Sequence, residues 1–380
     1  MKFFFKNNFK VIICVCVLLG LVAILIAHSP EAPHNGQAES IKFSENLTLF
    51  DTSSVIYSYL GDSQEAFDEN CEEVWSLLAE YHQLFDIYYE YSGVNNLCTL
   101  NKNAGGEPIE VSPRLVAFLL YAKELYTLTN GEMNVMMGAV LRLWHDARTD
   151  GGYIPSSASL TEASKHVSFD CLEIDEINNT VRISDKNARI DVGALGKGYA
   201  TEMAAKHLES KGVTSYVLNI GGNIRLIGAK SNGDGWGTGI NNPKYREPNN
   251  SICLYGWMHT DENNDKVCDS CETPQFATKI TISDTSCVTS GDYERYFKVN
   301  GKKYHHIIDK DTLMPADYFS SVTIITKNSG LADALSTALF AMSYEDGIAL
   351  IEKIGNVEVL WIYRDGTMKM TNGFEALITK

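Results

Sequence analysis

The chain is short of positive charge. Its 380 residues carry 32 Lys and Arg against 48 Asp and Glu, a formal net charge of -16 at pH 7. A nucleic-acid partner is excluded on that ground, because phosphate backbones are bound through clustered Lys and Arg. Any anionic substrate must be met by a metal ion or by a few placed cations. No internal repeat is present, which removes solenoids and propellers. There is no regular strand-helix-strand rhythm, so α+β is favoured over a doubly wound sheet. A Walker A loop is also missing. Only two residues separate Gly193 from Gly196-Lys197, where that loop needs four, and no Ser or Thr follows the Lys. Finally, no Cys follows the apolar run from Val11 to Ala27 at a lipobox-like position, although Cys14 and Cys16 lie within it.

That run is preceded by Lys2, Lys6 and Lys10 and followed by a polar, Pro-bearing stretch from His28. It is at the short limit for a membrane span and also fits a signal-peptide core. An uncleaved anchor is favoured over a lipoprotein, with simple secretion left open. The flanking lysines put the rest of the chain outside the cytoplasm. Residues 1–30 are therefore expected to be a signal or anchor, 31–45 a linker and 46–376 the folded domain. The domain is long enough to bury a substantial core.

Residues 47–60 alternate like a strand, and 63–88 carry Phe67, Cys71, Val74, Trp75, Leu78 and Phe85 near helical spacing. Ser112-Pro113 reads as the cap and first turn of a helix that Asn130-Gly131 stops. The segment from Ala188 to Ala200 leads into a helix reaching Lys211-Gly212, followed by a buried strand from Ser215 to Ile220 that closes on Gly221-Gly222. Its Gly-rich turn would present amides at a helix N-terminus, where phosphate binds well. Later strands are expected at 278–283, 293–299, 303–308, 321–326, 357–363 and 367–371, around a helix at 331–342.

Asp333 and Thr337 lie four residues apart on that last helix, offering a carboxylate and a hydroxyl to one small volume. These hard oxygen ligands suit Mg²⁺. Alone, such a pair is more often a dipole-stabilising Asp and a Thr bonded back to the helix. A second dense cluster runs from Ser290 to Phe297 and on to Tyr304-His305-His306-Ile307-Ile308-Asp309. Consecutive strand residues face opposite ways, so only one of the two histidines enters a given site. Cys268 and Cys271 follow the acidic stretch Asp261–Asp265. They fit a Ca²⁺ or Zn²⁺ loop, a disulfide-stapled surface excursion, or a solvated acidic loop.

Several blocks, in order, resemble the ApbE family, the FAD:protein FMN transferases. These are Asp191-Val-Gly-Ala-Leu-Gly-Lys197-Gly-Tyr-Ala200, Asn219-Ile-Gly-Gly222, Thr289 to Phe297, His306 to Asp309 and Ala332 to Thr337. Phe85 to Asn101 and Thr129 to Asn134 resemble two earlier segments. The likeness spans most of residues 47–374 and implies one compact α+β unit of two subdomains behind the N-terminal membrane segment. It also implies an activity, in which FAD is cleaved at its pyrophosphate, FMN is joined to a Thr of an acceptor protein, and AMP leaves.

By motif position the resemblance implies Asp333, Thr337 and the main-chain carbonyl of Ala194 as Mg²⁺ ligands. Asp191, Lys197 and Ile308 would contact FAD. Glu132, Met133 and Asn134 would line the flavin pocket with Tyr88. His306 is the candidate for taking the acceptor's proton, with a positioning role as the alternative, and His305 is expected to face away and tolerate substitution. The acceptor implied is a subunit of a membrane redox complex. The sequence departs from the family pattern at Asn134, Lys310, Leu313 and Ser336, the last removing a possible ligand for a second metal ion. Residues 255–277 look inserted. An Mg²⁺-dependent FAD pyrophosphatase and a non-catalytic FAD-binding protein are the competing functions.

Overall fold

The computed structural model describes residues 41–59, 62–246 and 274–379. The apolar run at 11–27 and the Cys268/Cys271 pair lie outside these residues. Among the described residues no helix is long and apolar enough to cross a membrane.

The fold is mixed α+β, built on an eight-stranded antiparallel sheet. In spatial order its strands are Ile41–Asn46, Ser54–Tyr59, Tyr216–Ile220, Asn223–Ile227, Ser286–Gly291, Ser321–Thr326, Glu358–Ile362 and Met368–Met370. Its two faces follow from alternation along the strands. Leu218, Ile324, Val359 and Trp361 point to the helical side, and Val217, Ile325, Leu360 and Ile362 to the other. The second face is covered by a hairpin of Trp236–Asn241 and Phe276–Ile282, and by Phe374. Trp361 and Phe340, both fully buried on the helical side, each contribute on the order of 1.5–3 kcal/mol of burial.

The helical layer forms where the sequence signals it. Gln64–Phe85 is capped by Ser63, whose Oγ accepts the Ala66 amide at 3.1 Å, and it buries Phe67, Cys71, Val74, Leu78, Tyr81, Leu84 and Phe85. Pro113–Leu128 starts under the Ser112 cap and ends at Asn130 and Gly131, both at positive φ. Two further helices carry the site: Gly196–Ser210 and Ser329–Phe340, called below the Gly196 and Ser329 helices.

Three expectations change. Of the strand expected over 47–60 only Ser54–Tyr59 forms, because Phe50 and Asp51 both take positive φ in a turn at Leu49–Asp51 that reverses the chain from the preceding strand Ile41–Asn46. The strand expected from residue 293 begins only at Tyr296, and the strand expected over 303–308 is Lys302–His305, which leaves His306 just past its end. Among the elements that the sequence reading does not contain are the central strands Asn223–Ile227 and Ser286–Gly291 and the helices Gly138–Thr149 and Tyr344–Ile354. The expected insertion at 255–277 overlaps the start of the strand Phe276–Ile282, and its residues up to 273 lie outside the described residues.

Candidate active site

The floor of the site is the crossing of the Gly196 and Ser329 helices. Asn328 caps the latter, its Oδ1 accepting the Leu331 amide at 2.9 Å. One turn in, Asp333 is only 5 % exposed. The helices meet at Gly198, where a Cβ would lie 2.4 Å from Asp333 Cβ and 2.5 Å from the Ser329 carbonyl. Only glycine permits this approach. Gly198 N–H donates to Asp333 Oδ2 at 2.8 Å, while Tyr199 makes the ordinary helical bond, to Leu195, at 3.0 Å. Because the Gly198 amide turns to Asp333 instead of to the residue one turn back, the Ala194 carbonyl loses its usual intrahelical partner. Burial pushes the Asp333 carboxyl up, opposed by the Lys197 charge and by the Gly198 amide.

Thr337 sits one turn further on. Ser336 donates to the Asp333 carbonyl at 2.8 Å, so in the 2.8 Å contact between Ser290 and Ser336 the proton comes from Ser290. Ser290 Oγ then has lone pairs to offer Thr337 Oγ1, 3.4 Å away. This direction of donation leaves the lone pairs of Thr337 open to a cation. Ser336 is fully buried and committed to this chain of hydroxyls.

The second wall is the turn at Asp191. Asn101 holds the preceding residue from both sides, donating to the Ile190 carbonyl at 2.9 Å and accepting its amide at 2.7 Å. The Asp191 amide donates to the Val135 carbonyl at 2.8 Å, and Asp191 Oδ1 accepts Gly193 N–H at 2.9 Å. Gly138 packs so tightly on this segment that a Cβ would sit 2.4 Å from the Arg189 carbonyl. Residues 132–138 are thereby drawn against Asp191.

Burial pushes the Asp191 carboxyl up, opposed by the Gly193 amide and the charges of His145 and Arg295. Tyr88, half exposed, contacts His145 Nδ1 through its hydroxyl at 3.3 Å, and Arg148 reaches the same nitrogen at 3.3 Å. Burial and the Asp191 carboxylate push the Tyr88 hydroxyl up, which ties Tyr88 to the same wall. Among the described residues neither Arg148 nor Arg295 forms a salt bridge with a carboxylate. His145, Arg148 and Arg295 were not named as site residues from sequence. Arg295 lies within the Thr289–Phe297 segment, whereas the helix bearing the other two has no side-chain cap to mark its start.

The His306 side chain is exposed to solvent and set among protein charges. Burial, followed by the charges of Arg295, His305, Lys197 and Arg148, holds the imidazole down to about 3. It is therefore neutral and carries a free ring nitrogen. His305 does face the other way, but it is 2 % exposed, bonds the Ala316 carbonyl through Nε2 at 2.9 Å and meets Phe340 edge-on. The expectation that it tolerates substitution is corrected: facing away from the site here means facing the core.

The rim residues have partners of their own. Met133 is buried in the main core. The Asn134 side chain donates to the Val167 carbonyl and accepts the Met136 amide, both at 2.9 Å. Glu132 pairs with Lys310 at 3.2 Å, and burial pushes its carboxyl up against that pairing. Of these three side chains, Glu132 is the one left to face a ligand. Ile308 is half-buried and bridges to Pro315. Among the described residues no cluster of three His, Cys, Asp or Glu could hold a metal, so a cation at the floor would depend on Thr337 and a main-chain carbonyl beside Asp333.

The profile of the ApbE family matches residues 50–361. The FAD:protein FMN transferase of Treponema pallidum (strain Nichols) is 27% identical over 376 residues, covering 95% of this chain and 92% of that protein. The enzyme of the same name from Vibrio cholerae serotype O1 is 28% identical over 307 residues, 80% of each chain. Among solved structures, the ApbE protein of Thermotoga maritima superposes with a TM-score of 0.73 at 25% identity, covering 90% of this chain and all of that one.

Proposed function

This chain belongs to the ApbE family, and on that premise we infer that it is an FAD:protein FMN transferase using Mg²⁺ and a threonine acceptor. One observation carries the chemistry: Asp333, Thr337 and Lys197 converge at a helix crossing whose first-turn amide is bonded to a carboxylate instead of to the Ala194 carbonyl. The donor set is all oxygen and contains one charge, which fits Mg²⁺. Asp333 Oδ1, the Thr337 hydroxyl and the Ala194 carbonyl would hold it. When bound, the ion neutralises the pyrophosphate and the developing charge on the leaving group.

The remaining chemistry is the chain's own. The acceptor Thr oxygen attacks the FMN-side phosphorus, a new P–O bond forms, and the bond to the bridging oxygen breaks with its electron pair leaving on AMP. The Thr proton passes to a ring nitrogen of His306, which is open to solvent. Lys197, Arg148 and Arg295 supply the positive field that a -16 chain otherwise lacks. Asp191 and Tyr88 shape the adjoining wall, with Ile308 and Glu132 toward the flavin; Met133 and Asn134 contribute through the backbone they fix.

The domain works outside the cytoplasmic membrane, held by the Lys-flanked segment 11–27, on an acceptor subunit of a membrane redox complex. Protease added to spheroplasts should digest it, and protection would rule this topology out. For the activity, incubation with FAD, Mg²⁺ and an acceptor domain separates three outcomes. Covalent FMN on the acceptor is expected; free FMN and AMP would mean a pyrophosphatase, and unaltered FAD a binding protein.

A further inference from the structure

A buried ion pair lies behind the site, with no contact to the proposed ligands themselves. Arg225, on the strand Asn223–Ile227, is fully buried. Its guanidinium faces Glu202 at 3.4 Å, Glu209 at 2.7 Å and Asp284 at 3.6 Å. Glu202, 4 % exposed, lies on the Gly196 helix one turn after Gly198. Its Oε2 accepts the amide of Ser329 at 2.9 Å, and Ser329 lies one turn before Asp333.

The two helices are therefore joined by two hydrogen bonds of opposite sense. The first-turn amide of the Gly196 helix donates to a carboxylate on the Ser329 helix, and the first amide of the Ser329 helix donates to a carboxylate on the Gly196 helix. Each helix satisfies one of the other's orphan N–H groups. Two such contacts a turn apart fix both spacing and axial register, which one contact alone would not. The axial register decides where Asp333 Oδ1 and Thr337 stand relative to Ala194 and Lys197.

We propose that Glu202, oriented by Arg225, is a positioning residue that sets the register of the Ser329 helix and so tunes the affinity of the Asp333–Thr337 site for its divalent cation. The proposal rests on reading Asp333 as a metal ligand. Groups that support metal ligands from behind typically change metal affinity ten- to a hundredfold when removed.

The test is Mg²⁺ binding to the full domain without FAD, followed by titration calorimetry, together with the Mg²⁺ activation curve of FMN transfer at saturating FAD. Glu202→Leu removes the acceptor, and Glu202→Gln keeps an oxygen for the Ser329 amide. Ser329→Pro attacks the bond from the other end, deleting the N–H at the first helical position, where proline is tolerated. Glu202→Leu and Ser329→Pro should each raise the Mg²⁺ concentration for half-maximal rate about tenfold or more. The rate at saturating Mg²⁺ and the KM for FAD should stay within about threefold. Glu202→Gln should recover most of the shift. The double variant should shift no further than the larger single one, since both break the same bond.

A folded Glu202→Leu or Ser329→Pro protein with the parental Mg²⁺ curve would overturn the proposal, as would additive shifts or a lowered maximal rate without a shift. Should Glu202→Leu fail to fold, Ser329→Pro alone decides. Asp333→Asn, whose Mg²⁺ curve is read by calorimetric binding and not by rate, is the control for the underlying reading. If its Mg²⁺ curve matches the parent, the metal assignment itself fails; if it moves while the Glu202 and Ser329 variants do not, only the positioning role fails.

Discussion

The floor and the rim of this site are built by different rules. At the floor, a carboxylate that is 5 % exposed is packed against a glycine with no room for a methyl group, and its bonds are to backbone. At the rim, Glu132, Asn134 and Tyr88 are partly exposed and partnered by side chains or loop carbonyls from distant sequence. The floor has almost no slack, so small changes there should be large in effect. The rim can give, so changes there should act mainly on affinity.

The largest effect should come from Asp333→Ala, which removes the charged member of the proposed ligand set. Loss of charge neutralisation at a transferring phosphate costs several kcal/mol of barrier, a factor of about 10³ or more, measurable as single-turnover FMN transfer by a folded variant. Gly198→Ala should come close. Its added methyl would meet Asp333 Cβ at 2.4 Å and the Ser329 carbonyl at 2.5 Å, neither of which is a flexible side-chain end. Thermal melting should fall together with activity; unchanged melting and activity would mean that the crossing has slack after all.

His306→Asn should slow transfer about 10²- to 10⁴-fold while FAD binding stays close to normal. A defect confined to FAD affinity would leave His306 a positioning role only. His305 provides the stability contrast. Burial holds its folded pKa down to about 4, against an ordinary value of 6.5. A lowered pKa means that the unfolded chain takes up the proton first. The stability it contributes is complete above about pH 6.5 and is lost as the pH falls toward 4, at most about 3 kcal/mol. The stability gap between wild type and His305→Gln should therefore narrow over that range, as read by denaturation at several pH values. The smallest effect should be at the rim: Glu132→Gln should raise the KM for FAD severalfold with kcat nearly unchanged. A kcat loss as deep as that of Asp333→Ala would erase the distinction between floor and rim.

Much of the floor was legible in the sequence, because its constraints are local. The four-residue spacing of Asp333 and Thr337 set their shared face, and the Gly-Lys-Gly turn announced a helix N-terminus. The rim was less so. The helix bearing His145 and Arg148 begins at Gly138 with no side-chain cap from Met137, so it gave no start signal. The strand Ser286–Gly291, rich in Ser, Thr and Gly, reads as loop; neighbours on both sides make it a strand. His305 shows the limit of strand parity, which says that two neighbours diverge but not which one meets solvent. Glu202 and Arg225 lie 23 positions apart in sequence, and their link to Ser329 is a tertiary bond with no local pattern.

The central claim is that Asp333, at the crossing with Gly198, supports the transfer itself beyond binding FAD. Intact-mass measurement of an acceptor domain after one turnover with Asp333→Asn, FAD and Mg²⁺ tests it most directly, with FAD binding to the same variant followed in parallel. The account predicts bound FAD and an unmodified acceptor. A covalent FMN adduct formed at near the wild-type rate would contradict it.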